Sequence, residues 1–511
     1  MAETFSLPQV LQLAKNHRVV PLIETIFSGS ETPIALYEKI TKGKPGSFLL
    51  ESAEHGVWSR YSFIGVSNRG TLTQTSDGRV SWISAGGHKP LPADSERVLP
   101  TNCLDAVAAL HSAWNSKAIA GLPPLTSGLV GALAWDTIRE IEKLPNKPAE
   151  AYHAPNMVFQ MFSDLVIFDH QESNLLLVAN IFVDHQDEAA ITDQYREAAQ
   201  RISQLRNSLL EPSEPYLATQ ADANLNAVVA NFTQESFVEM VERAKQHVRV
   251  GDVFQVVLSQ RFDLPTSASA LEVYRVLRAL NPSPYMYLLN LSDDLGEYAI
   301  VGSSPEALVT VTDGRAIMHP IAGSRPRGTD WDDDSHLETE LKADAKERAE
   351  HLMLVDLARN DLLKVCAPAS VTVTEFMQVH KFSHIQHLVS TVEGGVLDHF
   401  SPVDVFKATF PAGTLSGAPK PRALEIIDAL ESDNRGLYGG VVGYFDFAGN
   451  ADLAISIRTA ILRDGVAHVQ AGAGIVLDSN PVAEYEETQS KAAAPLRAVA
   501  LASAMTQIRS E

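Results

Sequence analysis

MVFQMFSDLVIFDHQESNLLLVANIFV, residues 157–183, decides the fold class. Two apolar runs, 157–162 and 165–168, lead into the polar turn 169–174, and a third run, 175–183, returns. Runs rich in Val, Ile, Leu and Phe on either side of a short polar segment predict a β-hairpin. Such a short connection makes its strands antiparallel, since parallel neighbours need a crossover of a dozen or more residues. The same device recurs at Arg463-Asp464-Gly465, between the strand-like runs 454–462 and 467–470. Asp-Gly between apolar runs is a strong short-range turn signal. The expectation is an α+β fold with large antiparallel sheets, not a doubly wound parallel one.

Outward from that hairpin the period changes. Ile191, Tyr195, Ala198, Ile202 and Leu205 recur at spacings of four and three, which predicts an amphipathic helix. A polar, Pro-containing stretch at 210–231 follows and reads as a linker. Thr233 is placed to cap a helix carrying Phe237, Val241, Ala244 and Val248 on one face. Gly251-Asp252 stops it, and 253–258 reads as a buried strand. Further on, strands are expected at 371–373, 389–392 and 441–447, and helices near 335–357, 421–431 and 483–502. The linker suggests a division into residues 1–225 and 226–511.

The chain has 511 residues, enough for two or three domains' worth of core. Its 45% hydrophobic and 20% charged content is ordinary globular usage. With 41 basic against 63 acidic residues the net charge is −22, which argues against a general nucleic-acid surface. An anionic small substrate would then need a local cluster of cations or a metal. Cys103 and Cys366 lie far apart and outside any Cys-x-x-Cys pattern, so neither a disulfide framework nor a structural zinc site is expected. The first residues, MAETFSLPQVL, lack a basic segment followed by an apolar core, and no run reaches the length of a membrane span. The expected location is the cytoplasm.

Two segments place glutamates three apart in helical context: Glu347 with Glu350, and Glu484 with Glu487. Positions i and i+3 share a helix face, so each segment presents two carboxylates together. Either pair alone is an ordinary solvated face. Two such helices facing each other would make an all-oxygen site suited to Mg²⁺. A di-iron bundle would want Glu-x-x-His instead. His380, His384 and His387 would line one stripe of a helix and suggest zinc, but LVSTVE (388–393) is β-branched and predicts a strand, which splits them across faces. One histidine acting as acid or base is the better reading. The glycine clusters at 413–417, 439–440 and 472–474 can offer backbone N–H groups to an anion, and none is a Walker A loop. Arg458, at the end of a strand-like run, has the fork geometry for a carboxylate.

Taken together, these segments carry a resemblance. FQVVLSQRF (254–262), NPSPYMYLL (281–289), SSPE (303–306), PIAGSRPRG (320–328), EHLMLVDLARNDL (350–362), HLVS (387–390), FPAGTLSGAPK (410–420), YGGVVGYF (438–445) and GAGIV (472–476) stand in one order, with LLES (49–52) and WSRYSFIG (58–65) before them. On these motifs the chain resembles the chorismate-utilising enzymes, specifically the anthranilate synthase large subunits (component I). The resemblance covers nearly the whole chain. It implies antiparallel sheets in a sandwich flanked by helices, with 1–225 as the N-terminal domain contributing to an effector site and 226–511 as the chorismate-binding domain.

Residue by residue, the resemblance makes Glu350 and Glu487 the Mg²⁺ ligands, with Glu347 and Glu484 supporting them. Tyr438 and Arg458 resemble the contacts to the enolpyruvyl carboxylate, with Gly472, Ala473, Gly474 and Lys491 close by. Gly323, Ser324 and Thr414 fall where the family lines its pocket. Glu306 resembles the acid that protonates the departing 4-hydroxyl, and His387 the histidine associated with pyruvate loss. Isochorismate and salicylate synthases carry a lysine where this chain has Gln255. Aminodeoxychorismate synthases usually carry one where it has Ala322. With neither lysine present, ammonia is the expected nucleophile.

The implied reaction is the lyase conversion of chorismate and ammonia to anthranilate and pyruvate, the first step of tryptophan biosynthesis. Neither cysteine sits in a Gly-x-Cys-x-Gly context, so a glutamine amidotransferase (component II) is expected as a separate chain in a hetero-oligomer. Ser52 with Pro284, Tyr285 and Met286 is the implied site for feedback inhibition by tryptophan. Two departures stand out: GALAWDTIR replaces a glycine- and tyrosine-rich run near residue 131, and Ser324 replaces a threonine. The alternatives are an aminodeoxychorismate synthase component I and a non-catalytic binder of the same fold.

Overall fold

The computed structural model describes residues 4–52, 60–212, 216–219, 221–381 and 385–508; His384, Trp58 and Ser59 fall outside them. The hairpin forms as the sequence indicates. Strand Met157–Asp169 pairs antiparallel with Asn174–Phe182, from Asp164↔Ala179 to Asp169↔Asn174. The two apolar runs before the turn are a single long strand. Val19–Phe27 adds to the far edge of the hairpin, and Tyr61–Gln74 to its near side. Helix Glu188–Leu210 buries Ile191, Ala198, Ile202 and Leu205. The next helix, Gln234–Arg249, starts at Thr233, whose hydroxyl accepts from the Ser236 amide at 3.2 Å. After Leu210, the described residues of the 210–231 stretch form only the two-residue strands Ala218–Thr219 and Val229–Ala230.

Among the described residues every ladder between strands is antiparallel; one isolated bridge, Ala149↔Asp433, is parallel. Strands from distant parts of the chain alternate in the sheets. Ser47–Glu51 pairs with Tyr285–Asp293, and Gly128–Leu133 pairs with Val441–Asp446. One core cluster accordingly draws on both regions, with Phe48, Phe162 and Val130 against Tyr287, Ile300 and Val442. Burying each such large apolar side chain stabilises by about 1.5–3 kcal/mol.

Two expected elements are each divided, and both divisions bear on the site. The helix near 335–357 is two helices, Trp331–Ala343 and Ala345–Leu362. Asp344 breaks the helical backbone at ψ 112°, and its Oδ1 accepts from the amides of Lys346 (3.0 Å) and Glu347 (3.2 Å). A short acidic side chain competes with the helix for backbone donors and caps a new one. The run 454–462 is likewise two strands, Ala451–Ile455 and Thr459–Arg463, parted at Arg458, whose φ is +52°. Asp464 (φ +51°) and Gly465 (φ +76°) then form the tight turn into Val466–Ile475, with positive φ at both central residues. His380 and His387 are register partners on the paired strands Thr372–Lys381 and Ile385–Gly395. No helix among the described residues is long and apolar enough to cross a membrane.

Candidate active site

A cleft of about 790 Å³ opens between helix Ala345–Leu362, helix Pro481–Ala504 and the strands Ile321–Pro326 and Val466–Ile475. Its lining includes Glu306, Gly323, Ser324, Glu347, Glu350, His387, Thr414, Tyr438, Arg458, Gly472, Gly474, Glu484, Glu487 and Lys491. Residues separated by as many as 236 positions (Gln255 to Lys491) thus converge, and only the fold brings them together. Ala473 is the exception: its side chain is fully buried in the core, as alternation along a strand requires between two cleft-facing glycines. Gln255 and Ala322 line the same cleft.

The glycines are there for space. A Cβ on Gly472 would sit 2.6 Å from the Tyr438 hydroxyl and 2.7 Å from the Leu258 carbonyl oxygen. Gly323 has φ +77°, which favours glycine, and its absent Cβ faces Glu347 at 3.1 Å.

Glu306 lies at the floor of the cleft. Burial pushes its carboxyl up to about 7, while the Thr414 hydroxyl, donating to Oε1 at 3.0 Å, and the charge of Lys491 pull the other way. A carboxylic acid that holds its proton near neutrality can serve as a general acid. His387 shows the complementary shift. Burial lowers its imidazole, so it is neutral at pH 7; the Gly323 carbonyl opposes this and Arg458 reinforces it. Nδ1 is 3.1 Å from that carbonyl oxygen. A carbonyl only accepts, so Nδ1 carries the proton and Nε2 is the basic nitrogen.

Arg458 makes no side-chain hydrogen bond or ion pair among the described residues; it feels Tyr438 and Glu487 only at longer range, and burial presses its guanidinium below the ordinary value. A half-buried, always-charged fork without a carboxylate partner among the described residues calls for an anion. Arg458 lines the cleft from the break at residues 456–458, between the two strands.

The two glutamate pairs stand on the first two turns of helices Ala345–Leu362 and Pro481–Ala504, both of which line the cleft. Burial raises the Glu350 carboxyl, and repulsion from Glu347 and Glu487 adds to it. Burial likewise raises Glu484, with Glu487 adding. Lys346 and Lys491 lie close enough to offset part of this charge. Four carboxylates against two ammonium groups and the Arg325 guanidinium, itself shared with Glu340 and Asp344, leave an excess of negative charge on an all-oxygen donor set, which fits a hard divalent cation. No three acidic, histidine or cysteine side chains among the described residues already converge at ligand distance.

At one end of the cleft lie Asn281–Pro284, and the sheet carries on from there. Tyr285 donates to Asp452, a carboxyl that burial pushes up to about 7. Met286 is buried and pairs with Glu51 in the ladder, so Ser52, one residue on, is brought beside the Pro284-Tyr285-Met286 motif.

Sequence reasoning missed a buried pair behind this wall. Arg435 Nη2 is 2.6 Å from Glu431 Oε1, and the same guanidinium donates to the carbonyls of Leu415 and Val257, both at 2.7 Å. Arg435 also lies under the Trp135 ring at 4.3 Å. Its signal was an arginine set just before the apolar run of residues 437–447. Gln470, Lys346 and Ser479 also line the cleft and carried no signal of their own.

The chain matches the family of chorismate binding enzymes over residues 47–497. It is 48% identical to the anthranilate synthase component 1 of Arthrobacter globiformis, covering 98% of this chain and 94% of that one. It is 47% identical to the component 1 of Mycolicibacterium smegmatis, covering 99% and 96%. The crystal structure of anthranilate synthase component I from Streptococcus pneumoniae superposes with a TM-score of 0.73 at 32% identity, over 93% of this chain and 99% of that one. The menaquinone-specific isochorismate synthase of Escherichia coli shares the fold, with a TM-score of 0.67 at 18% identity. The chain belongs to the chorismate-binding enzyme family, alongside its anthranilate synthase component 1 members.

Proposed function

We propose that the protein is the large subunit of an anthranilate synthase, a lyase converting chorismate and ammonia to anthranilate, pyruvate and water. The observation that carries this reading is the pairing, in one cleft, of a carboxyl near 7 at Glu306 with a neutral His387 and an unpartnered Arg458. Arg458 and Tyr438 bind and orient the enolpyruvyl carboxylate, while Gly323, Ser324 and the strand at Gly472–Gly474 bound the ring. Ammonia adds at C2; Glu306, steadied by Thr414, gives its proton to the 4-hydroxyl, which leaves as water. A poor leaving group requires such an acid. The C2 hydrogen is then removed, and the enolpyruvyl group departs as pyruvate, with His387 Nε2 handling the proton. Glu350 and Glu487, supported by Glu347 and Glu484, would hold Mg²⁺, which when bound neutralises the ring carboxylate.

Gln255 and Ala322 support ammonia as the nucleophile, because the cleft wall offers no lysine at either place. Both cysteines are buried, and burial raises both thiols, with Glu140 adding at Cys103. Neither suits glutamine hydrolysis, which favours a separate glutaminase subunit as the ammonia source. Ser52 with Pro284, Tyr285 and Met286 is the proposed tryptophan site, residues 1–225 supplying its first half and 226–511 the catalytic residues. The protein would work in the cytoplasm, in a hetero-oligomer.

One assay tests the reading: chorismate, Mg²⁺ and an ammonium salt, with products identified by fluorescence and mass. Anthranilate with equimolar pyruvate is the expected outcome. Aminodeoxychorismate without pyruvate would reassign the activity, and no turnover would leave a binding protein.

A further inference from the structure

Three of the four cleft glutamates already have partners inside the protein. Glu487 Oε1 is 2.6 Å from Lys491 Nζ. Glu347 Oε1 is 3.7 Å from Arg325 Nη1, and Glu484 accepts from Ser479. Glu350 has neither hydrogen bond nor ion pair among the described residues and is the most crowded by like charge. The carboxylates are thus held apart by groups of the protein's own. Among these groups Lys491 is distinctive, because the same ammonium also donates to the Gly472 carbonyl at 3.1 Å. It stands between the glutamate wall and the strand that bounds the substrate's side of the cleft.

We propose that Lys491 is an exchangeable counter-ion: it neutralises Glu487 while no metal is bound, yields that carboxylate to a divalent cation, and turns its charge toward an anionic group of the substrate lying over Gly472. Lysine suits this exchange, being a compact charge with three donors on a flexible stem. The Lys491–Glu487 pair is 40% and 47% exposed, so it is weakly held and its parting is easy. A divalent cation on one oxygen of Glu487 and an ammonium on the other repel each other in a partly dry cleft, so each weakens the other's hold on that carboxylate. Lys491 therefore holds down the affinity for metal alone, and anion and cation enter the cleft as coupled events.

The metal's place rests on the proposed function, so the test uses metal without substrate. Mn²⁺ is titrated into the full-length protein, Lys491→Met and Lys491→Arg, with free Mn²⁺ read by electron paramagnetic resonance. Lys491→Met keeps the stem and removes the charge, and binds Mn²⁺ about 3- to 10-fold more tightly; Lys491→Arg stays near the parent. Lys491→Gln serves if the methionine variant does not fold, as judged by its melting curve. Equal or weaker binding by the neutral variants, while the parent binds Mn²⁺, overturns the counter-ion role and leaves the metal assignment standing. Absence of Mn²⁺ binding in every protein overturns both.

Discussion

Glu306→Gln separates what the acid does for chemistry from what it costs the fold. The ordinary carboxyl value is 4.5, and burial holds Glu306 at about 7. That gap is worth about 3 kcal/mol when fully expressed, and water in the open cleft brings it nearer about 2 kcal/mol. A carboxyl raised on folding binds its proton more tightly in the folded state, so stability falls as pH rises from about 4.5 to about 7 and stays lower above. Glutamine has no proton to lose and can still accept from Thr414. Asp446 and Asp452, both pushed up to about 7 by burial, contribute the same slope to parent and variant and cancel in the comparison. The expected result is a variant matched to the parent at pH 4, more stable by about 2 kcal/mol at pH 8.5, and about 10²–10⁴-fold slower in turnover. Urea unfolding at the two pH values, without metal or substrate, measures the first part, and anthranilate fluorescence the second. Parallel stability profiles, or retention of more than a tenth of the activity, would refute the reasoning.

The other expectations concern separate parts of the cleft. At a fixed concentration of free ammonia, parent activity should fall as pH rises through about 7, because Glu306 must hold its proton; a rate still climbing at pH 8.5 under that condition would deny it the acid's role. Glu350→Gln and Glu487→Gln should each abolish Mg²⁺-dependent turnover with little change in melting temperature; full activity in either rejects that ligand. Gly472→Ala drives a methyl into Tyr438 and the Leu258 carbonyl, so a loss of about 1–3 kcal/mol and a raised KM are expected, and wild-type stability would show that the strand yields. Ser52→Ala should weaken tryptophan inhibition and spare the uninhibited rate; an unchanged inhibition curve would move the effector site elsewhere.

Local patterns were legible where local physics rules. The 157–183 hairpin, the Thr233 cap and the Asp464-Gly465 turn each depend on residues within a few positions of one another, and each formed where the pattern indicated. The divided helix at Asp344 and the divided strand at Arg458 were not legible, because apolar periodicity runs through both places and the break is enforced by capping and by tertiary surroundings. The side chains that line the cleft were recognisable by motif, yet nothing local tells that Ala473 turns inward between two glycines that face the cleft. The Arg435–Glu431 pair escaped because a charge can be fully buried only against partners supplied by remote segments, here Leu415 and Val257.

The shared ladders impose a schedule on the ribosome. Ser47–Glu51 meets its neighbour Tyr285–Asp293, and Gly128–Leu133 meets Val441–Asp446, only after a long further stretch of chain has been made. At about 5–20 residues per second, the first of these edges waits on the order of 10–50 s with its backbone groups unmatched. Exposed edges recruit other nascent chains, and pairing so remote in sequence closes slowly. The proposed boundary at 225/226 therefore separates no independently folding halves: each half expressed alone lacks a strand the other supplies and should aggregate, whereas the two co-expressed as fragments should rescue each other's solubility.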